Sequence, residues 1–119
     1  MKLKRVGMVN KKAKESIRPG TYDAVLTGIT DEVDGYDVDA AFQVEYDVFV
    51  TESKKIAYHE VFLNDLGNSR TATFDAWVRD SGYDLEKSED LIGLKMRLTF
   101  LKQSKNGRTF TNITKREGV

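Results

Sequence analysis

Cysteine is absent from the 119 residues, and histidine, tryptophan and proline occur once each, as His59, Trp77 and Pro19. Without cysteine there is neither a disulfide framework nor a thiolate metal site, which fits a reducing compartment. A single histidine cannot build a three-histidine metal centre or a Ser-His pair backed by a second histidine, so His59 is expected at a partly exposed strand position. No apolar run approaches the ~20 residues of a membrane span, and the N-terminus lacks the apolar stretch of a secretory signal. A soluble, intracellular chain is expected. The nine glycines are scattered singly, with no Gly-rich phosphate loop and no GxSxG elbow. The acidic stretch 31–39 invites a calcium loop, yet placing Gly35 sixth in an EF-hand puts Thr30 first and Ala41 twelfth, and both anchoring carboxylates are missing. No enzymatic constellation, metal or cofactor is therefore expected.

What the chain does have is segregated charge. Its 19 bases and 19 acids cancel, but residues 1–18 hold seven bases (Lys2, Lys4, Arg5, Lys11, Lys12, Lys14, Arg18) against Glu15, leaving an arm of +6 on a body of −6. Residues 93–116 carry Lys95, Arg97, Lys102, Lys105, Arg108, Lys115 and Arg116 and no acid, whereas residues 21–51 carry eight acids and no base. A neutral protein so divided has at least one basic element able to lie along a polyanion.

Hydrophobic periodicity sets the element order. Pro19-Gly20 ends the arm and a β-rich run, 21–30, follows. Phe42, Val44, Tyr46, Val48 and Val50 alternate with Gln43, Glu45, Asp47 and Phe49, the period of a strand with a polar side. After a turn at Lys54-Lys55, a third strand over 56–63 sets Ile56, Tyr58, Glu60 and Phe62 against Ala57, His59, Val61 and Leu63, with either face able to point inward. Phe74, Trp77, Val78 and Ser81 then fall at i, i+3, i+4 and i+7, so 69–81 reads as a helix capped by Asn68 or Ser69 and ended by Gly82, with Trp77 on its packed face. A linker, 83–92, leads to a fourth strand in which Leu94, Met96, Leu98 and Phe100 face opposite Lys95, Arg97 and Thr99. Asn106-Gly107 supplies the two positive φ values of a tight I′ turn, and 108–114 returns as the fifth strand.

The order β-β-β-α-β-β in about 100 residues matches the five-stranded Greek-key barrel of the oligonucleotide- and oligosaccharide-binding (OB) fold, an all-β class with one helix between its third and fourth strands. One domain is expected, an OB-fold domain over 19–117, preceded by a basic N-terminal arm over 1–18. Gly28 and Gly93 are the expected bend points of a tightly coiled barrel.

Ile17-Arg18-Pro19-Gly20-Thr21-Tyr22, Asp90-Leu91-Ile92-Gly93-Leu94-Lys95 and the Lys105-Asn106-Gly107-Arg108 turn resemble the phage-encoded single-stranded DNA-binding proteins, particularly those of phages of lactic-acid bacteria, over most of residues 17–117. The resemblance implies a protein that coats single strands in phage DNA replication and recombination, works in the cytoplasm of the infected host as a homodimer or larger assembly, and meets replication or recombination proteins. Bacterial housekeeping proteins of this function end in an acidic tail; here Lys115-Arg116-Glu117-Gly118-Val119 stands instead, so recruitment through such a tail is not expected.

Single-strand binding needs cations along the phosphates and flat apolar surfaces for unpaired bases. Lys95, Arg97, Lys102, Lys105 and Arg108 are the candidate phosphate contacts. Phe49, Tyr36 and Phe110 are the candidate platforms, each weighed against a place in the core; Phe49 leads because Gln43, Glu45 and Asp47 share its parity. Glu45 and Asp47 oppose a phosphate path along the second strand, so either the nucleic acid follows the fourth and fifth strands or these acids meet the basic arm of another subunit. The competing reading is a protein-interaction module on the same fold, a phage adaptor or inhibitor that binds no nucleic acid.

Overall fold

Alternation along the chain becomes a sheet with one apolar face. The computed structural model describes residues 6–7 and 17–118, with 6, 7 and 105 described by their backbone only. Its elements are β1 (Val6–Gly7), β2 (Gly20–Thr30), β3 (Ala41–Phe49), β4 (Lys55–Leu63), α1 (Ser69–Asp80), a 3-10 turn (Ser88–Leu91), β5 (Lys95–Lys105) and β6 (Arg108–Gly118). Five long antiparallel strands lie in the order β4-β3-β2-β5-β6, and the helix falls between β4 and β5. The basic side chains of 1–5 and 8–16 lie outside the described residues, as does Val119.

β2 organises the sheet because its edge away from β3 serves two partners. Gly20 to Val25 pair with Phe100 to Lys95 of β5, while Gly28 and Ile29 pair with β1. Between them Leu26 bonds to Gly93 and Leu94, which lead into β5 (2.8 and 3.0 Å). The β2–β3 register slips between Leu26 and Gly28, the irregularity that lets a strand bend from one partner to the next. Gly93 sits at φ +91°, a left-handed conformation that glycine adopts without a steric penalty. Both glycines stand where the chain was expected to bend.

Leu26, Phe42, Val44, Tyr46, Val48, Phe74, Val78, Met96, Leu98 and Phe100 form the core, all but withdrawn from water. Phe62 joins them and settles the inward face of β4, stacking on Phe74 at 4.6 Å and Phe42 at 5.3 Å. Ile17 is buried too, so among the described side chains core packing extends to two residues before Pro19. In α1 the Asn68 side chain accepts from the Arg70 and Thr71 amides, satisfying helix donors that would otherwise be orphaned, and Gly82 at φ +88° follows the C-cap. Trp77 is partly buried against the core, as its helical position requires. The region 83–92 holds a turn that periodicity does not reveal: Leu85 and Leu91 are buried beside the short 3-10 segment.

The seam between β4 and β6 differs from a closed barrel. Among the described residues no ladder joins these strands. The first turn of α1 occupies the β4 edge, with Arg70 Nη1 donating to the Val61 carbonyl (3.3 Å) and Thr71 Oγ1 to the Leu63 carbonyl (2.6 Å). Side chains span the gap instead. Tyr46 Oη donates to Glu60 Oε1 (2.8 Å), Arg116 Nη2 bonds the same oxygen, and Arg70 Nη2 lies 3.8 Å from Glu60 Oε2. The Arg116 guanidinium also sits 5.1 Å over the Phe74 ring, a favourable place for a poorly hydrated cation. Arg116 is thus a seam residue and not part of the outward basic row. Burial opposes its charge, but Tyr46 and Glu60 hold it above its ordinary value.

Burial, followed by the charge of Glu60, raises the Tyr46 phenol well above its usual 10.0, and the same two causes push Tyr58 up to about 12. Above pH 10 the unfolded chain ionises these tyrosines while the folded chain still holds their protons, so linkage removes stability as pH climbs. Melting temperature should be insensitive to these groups below pH 10 and fall between pH 10 and about 12. Tyr58→Phe should flatten that decline, and an unchanged profile in the variant would exclude Tyr58 as its source.

No helix among the described residues is long and apolar enough to cross a membrane.

Candidate nucleic-acid interface

The strand pleat separates the basic row of β5 from the core. Met96, Leu98 and Phe100 are fully buried, whereas Lys95 and Arg97 are exposed. The row is not uniformly positive, however. Arg97 Nε donates to Asp23 Oδ1 across the β2–β5 ladder (3.3 Å), so part of its charge is already matched.

Beyond Phe100 the β5–β6 hairpin leaves the sheet. β2 pairs with β5 only as far as Phe100, while β5 and β6 continue together to Lys105 and Arg108. Asn106 and Gly107 turn at φ +54° and +75°, as the I′ geometry needs. In this ribbon Gln103 faces Phe110 and Lys102 faces Thr111. Successive side chains alternate, so Leu101, Gln103, Arg108, Phe110 and Asn112 share one face and Lys102, Ser104, Thr109 and Thr111 the other. Lys102 and Arg108 are exposed, Phe110 is 37% and Leu101 50% exposed, and no acid lies between 101 and 116. The side chain of Lys105 lies outside the described residues.

Phe49 is 39% exposed at the end of β3. It is the cross-strand partner of Asp23, which in turn faces Arg97, so an aromatic ring, a carboxylate and a guanidinium stand in one row over three strands. A groove of about 530 Å³ runs beside that row, lined by Asp23, Val25, Phe49, Glu52, Lys95 and Met96. Phe49 and Lys95 are therefore brought to one surface. Tyr36 is half exposed but stands apart from them, in a turn of the acidic loop where its amide bonds the Val33 carbonyl (3.1 Å).

On the polar side of β3 both acids have partners within the sheet. Glu45 is 5% exposed and meets His59 Nε2 at 2.7 Å, while Asp47 pairs with Lys55 at 3.4 Å. Glu45 and His59 face each other across the β3–β4 ladder, and burial lowers the His59 pKa. A neutral ring that donates from Nε2 fits both facts. Of the two pairs, Lys55 offsets the charge of Asp47, whereas a neutral His59 gives Glu45 a hydrogen bond without cancelling its charge.

Sequence reasoning missed Asp23, Val25, Glu52 and Met96 as groove residues. Their proximity depends on the β2–β3 and β2–β5 registers, for which the local pattern contains no signal. Two smaller clefts, about 180 and 370 Å³, flank the seam and share Glu60, Arg70, Ile113 and Thr114. Among the described residues no group of three or more His, Cys, Asp or Glu side chains is placed to hold a metal ion. No protein-family model, curated protein or solved structure matches the chain.

Proposed function

We propose that this chain is a sequence-tolerant single-stranded DNA-binding protein of the OB type, serving phage DNA replication and recombination. The supporting observation is the projecting β5–β6 ribbon, which carries exposed Lys102, Arg108, Leu101 and Phe110 with no acid among them. Arg108 shares a face with Leu101 and Phe110 while Lys102 lies on the other, so one face presents a cation beside apolar surface, as a stacked, phosphate-lined single strand requires. The Phe49–Lys95 groove continues the same chemistry onto the sheet. The strand order and helix position also agree with an OB barrel whose β4–β6 seam is bridged by side chains.

The exposed bases of α1, Arg70 and Arg79, are paired with Glu60 and Asp75, which leaves the helix poorly suited to reading a major groove, so single strands should be preferred to duplex. Competition between a labelled single strand and an unlabelled duplex of the same sequence tests that preference. Equal competition by the duplex would refute it. The +6 arm and −6 body further suggest a homodimer, which sedimentation at micromolar concentration resolves from a monomer.

Phe49→Ala should weaken single-strand binding by about 1–3 kcal/mol while leaving the salt dependence almost unchanged, because stacking releases no counterions. The ring is 39% exposed, so thermal stability should change little. A large loss of melting temperature would return Phe49 to a packing role.

A further inference from the structure

The Phe49 groove is oddly furnished for a surface that meets a polyanion. Its lining is largely apolar, from Val25 and the Phe49 ring, with Lys95 on one side, yet Asp23 and Glu52 bring two carboxylates. Asp23 is partly engaged by Arg97. Glu52, exposed in the β3–β4 turn, makes no hydrogen bond or ion pair with any described residue. A carboxylate beside a stacking ring repels phosphate but accepts hydrogen bonds, so the group that belongs there is a flat ligand with donors along one edge.

We propose that this groove takes one unpaired guanine, stacked on Phe49, with Glu52 accepting from its N1–H and exocyclic N2 amine. This rests on the single-strand-binding reading and adds a preference at one position of an otherwise tolerant path. Guanine is the base whose pairing edge offers two adjacent N–H donors, matching the two oxygens of one carboxylate, as in other bidentate carboxylate pairs. Thymine offers a single donor between two carbonyl oxygens, which face the carboxylate unfavourably. Lys95, on the opposite strand of the groove from Phe49, is left for the adjoining phosphate. The volume of about 530 Å³ is that of an ordinary small-ligand pocket, large enough for one nucleotide.

The test is a titration of the full chain with three oligonucleotides: dT alone, dT with interspersed guanines, and the same strand with inosine at each guanine. Inosine deletes only the N2 amine. The guanine strand should bind about tenfold tighter than dT, a typical effect of one bidentate base contact, and inosine should forfeit most of that gain. Glu52→Gln should abolish the guanine preference and leave dT affinity unchanged or slightly higher, since a negative charge is removed from the path. Glu52 is exposed, so the variant should fold normally. Equal affinity for dT and guanine strands, or a preference that survives in Glu52→Gln, overturns this proposal alone. If none of the three strands binds at low salt, the single-strand reading falls and the guanine site with it.

Discussion

Alanine in place of Lys95, Arg97, Lys102 and Arg108 together should cost the protein most of its affinity for single strands while leaving it folded. Each phosphate contact on a single strand adds about 0.7 to the log-log salt slope, so losing four should flatten it by roughly 3. At about 0.1 M salt the same four contacts account for nearly three decades of binding constant, and the variant should bind several hundred-fold more weakly. All four side chains are exposed. Among the described residues the one pairing removed is Arg97 with Asp23, whose partners are 48% and 64% exposed, and a pair of that kind contributes ~0–1 kcal/mol. Melting temperature should therefore shift by no more than about 5 °C. Undiminished affinity in a folded variant would remove the β5–β6 hairpin from the binding surface.

The largest effect on stability is expected from Glu60→Ala. Glu60 is 7% exposed and accepts from both Tyr46 and Arg116, with Arg70 nearby. Its removal strands the Arg116 guanidinium, itself 12% exposed with a buried Nε that has no hydrogen-bond partner. Leaving one member of a buried ion pair uncompensated costs about 3–5 kcal/mol. In a domain of this size that corresponds to a fall in melting temperature on the order of 10–25 °C. Because the penalty comes from the orphaned charge, Glu60→Ala combined with Arg116→Met should be more stable than Glu60→Ala alone. A loss below about 1 kcal/mol in the single variant would show that water reaches the seam and solvates Arg116.

The contrast between these two sets of bases shows where sequence reading succeeds and where it stops. Strand parity placed Met96, Leu98 and Phe100 inward and Lys95 and Arg97 outward, and the structure agrees. The capping residue Asn68 and the Asn106-Gly107 turn were legible for the same reason: each depends on chemistry within a few residues. Arg116 could not be separated from the outward row because its partner, Glu60, is 56 residues away. Nor could Glu45 be matched to His59 without the β3–β4 register. The end of β6 was not marked by local pattern: the fifth strand reads as 108–114, yet Lys115, Arg116 and Glu117 pair with Thr99, Leu98 and Arg97. The Phe49 groove is a product of three strands in register, so its ring was visible from sequence and its carboxylates were not.

Equilibrium titration decides whether this chain binds single-stranded DNA through cations and stacking surfaces on the β5–β6 hairpin and the adjoining sheet. A fluorescently labelled dT oligonucleotide should be titrated with the full chain at about 50 and about 200 mM salt. Binding should saturate at the lower concentration and be markedly weaker at the higher, with a log-log slope that divides into several phosphate contacts at roughly 0.7 each. No binding at the lower salt concentration would rule out single-strand binding and would favour a protein-interaction module on the same fold.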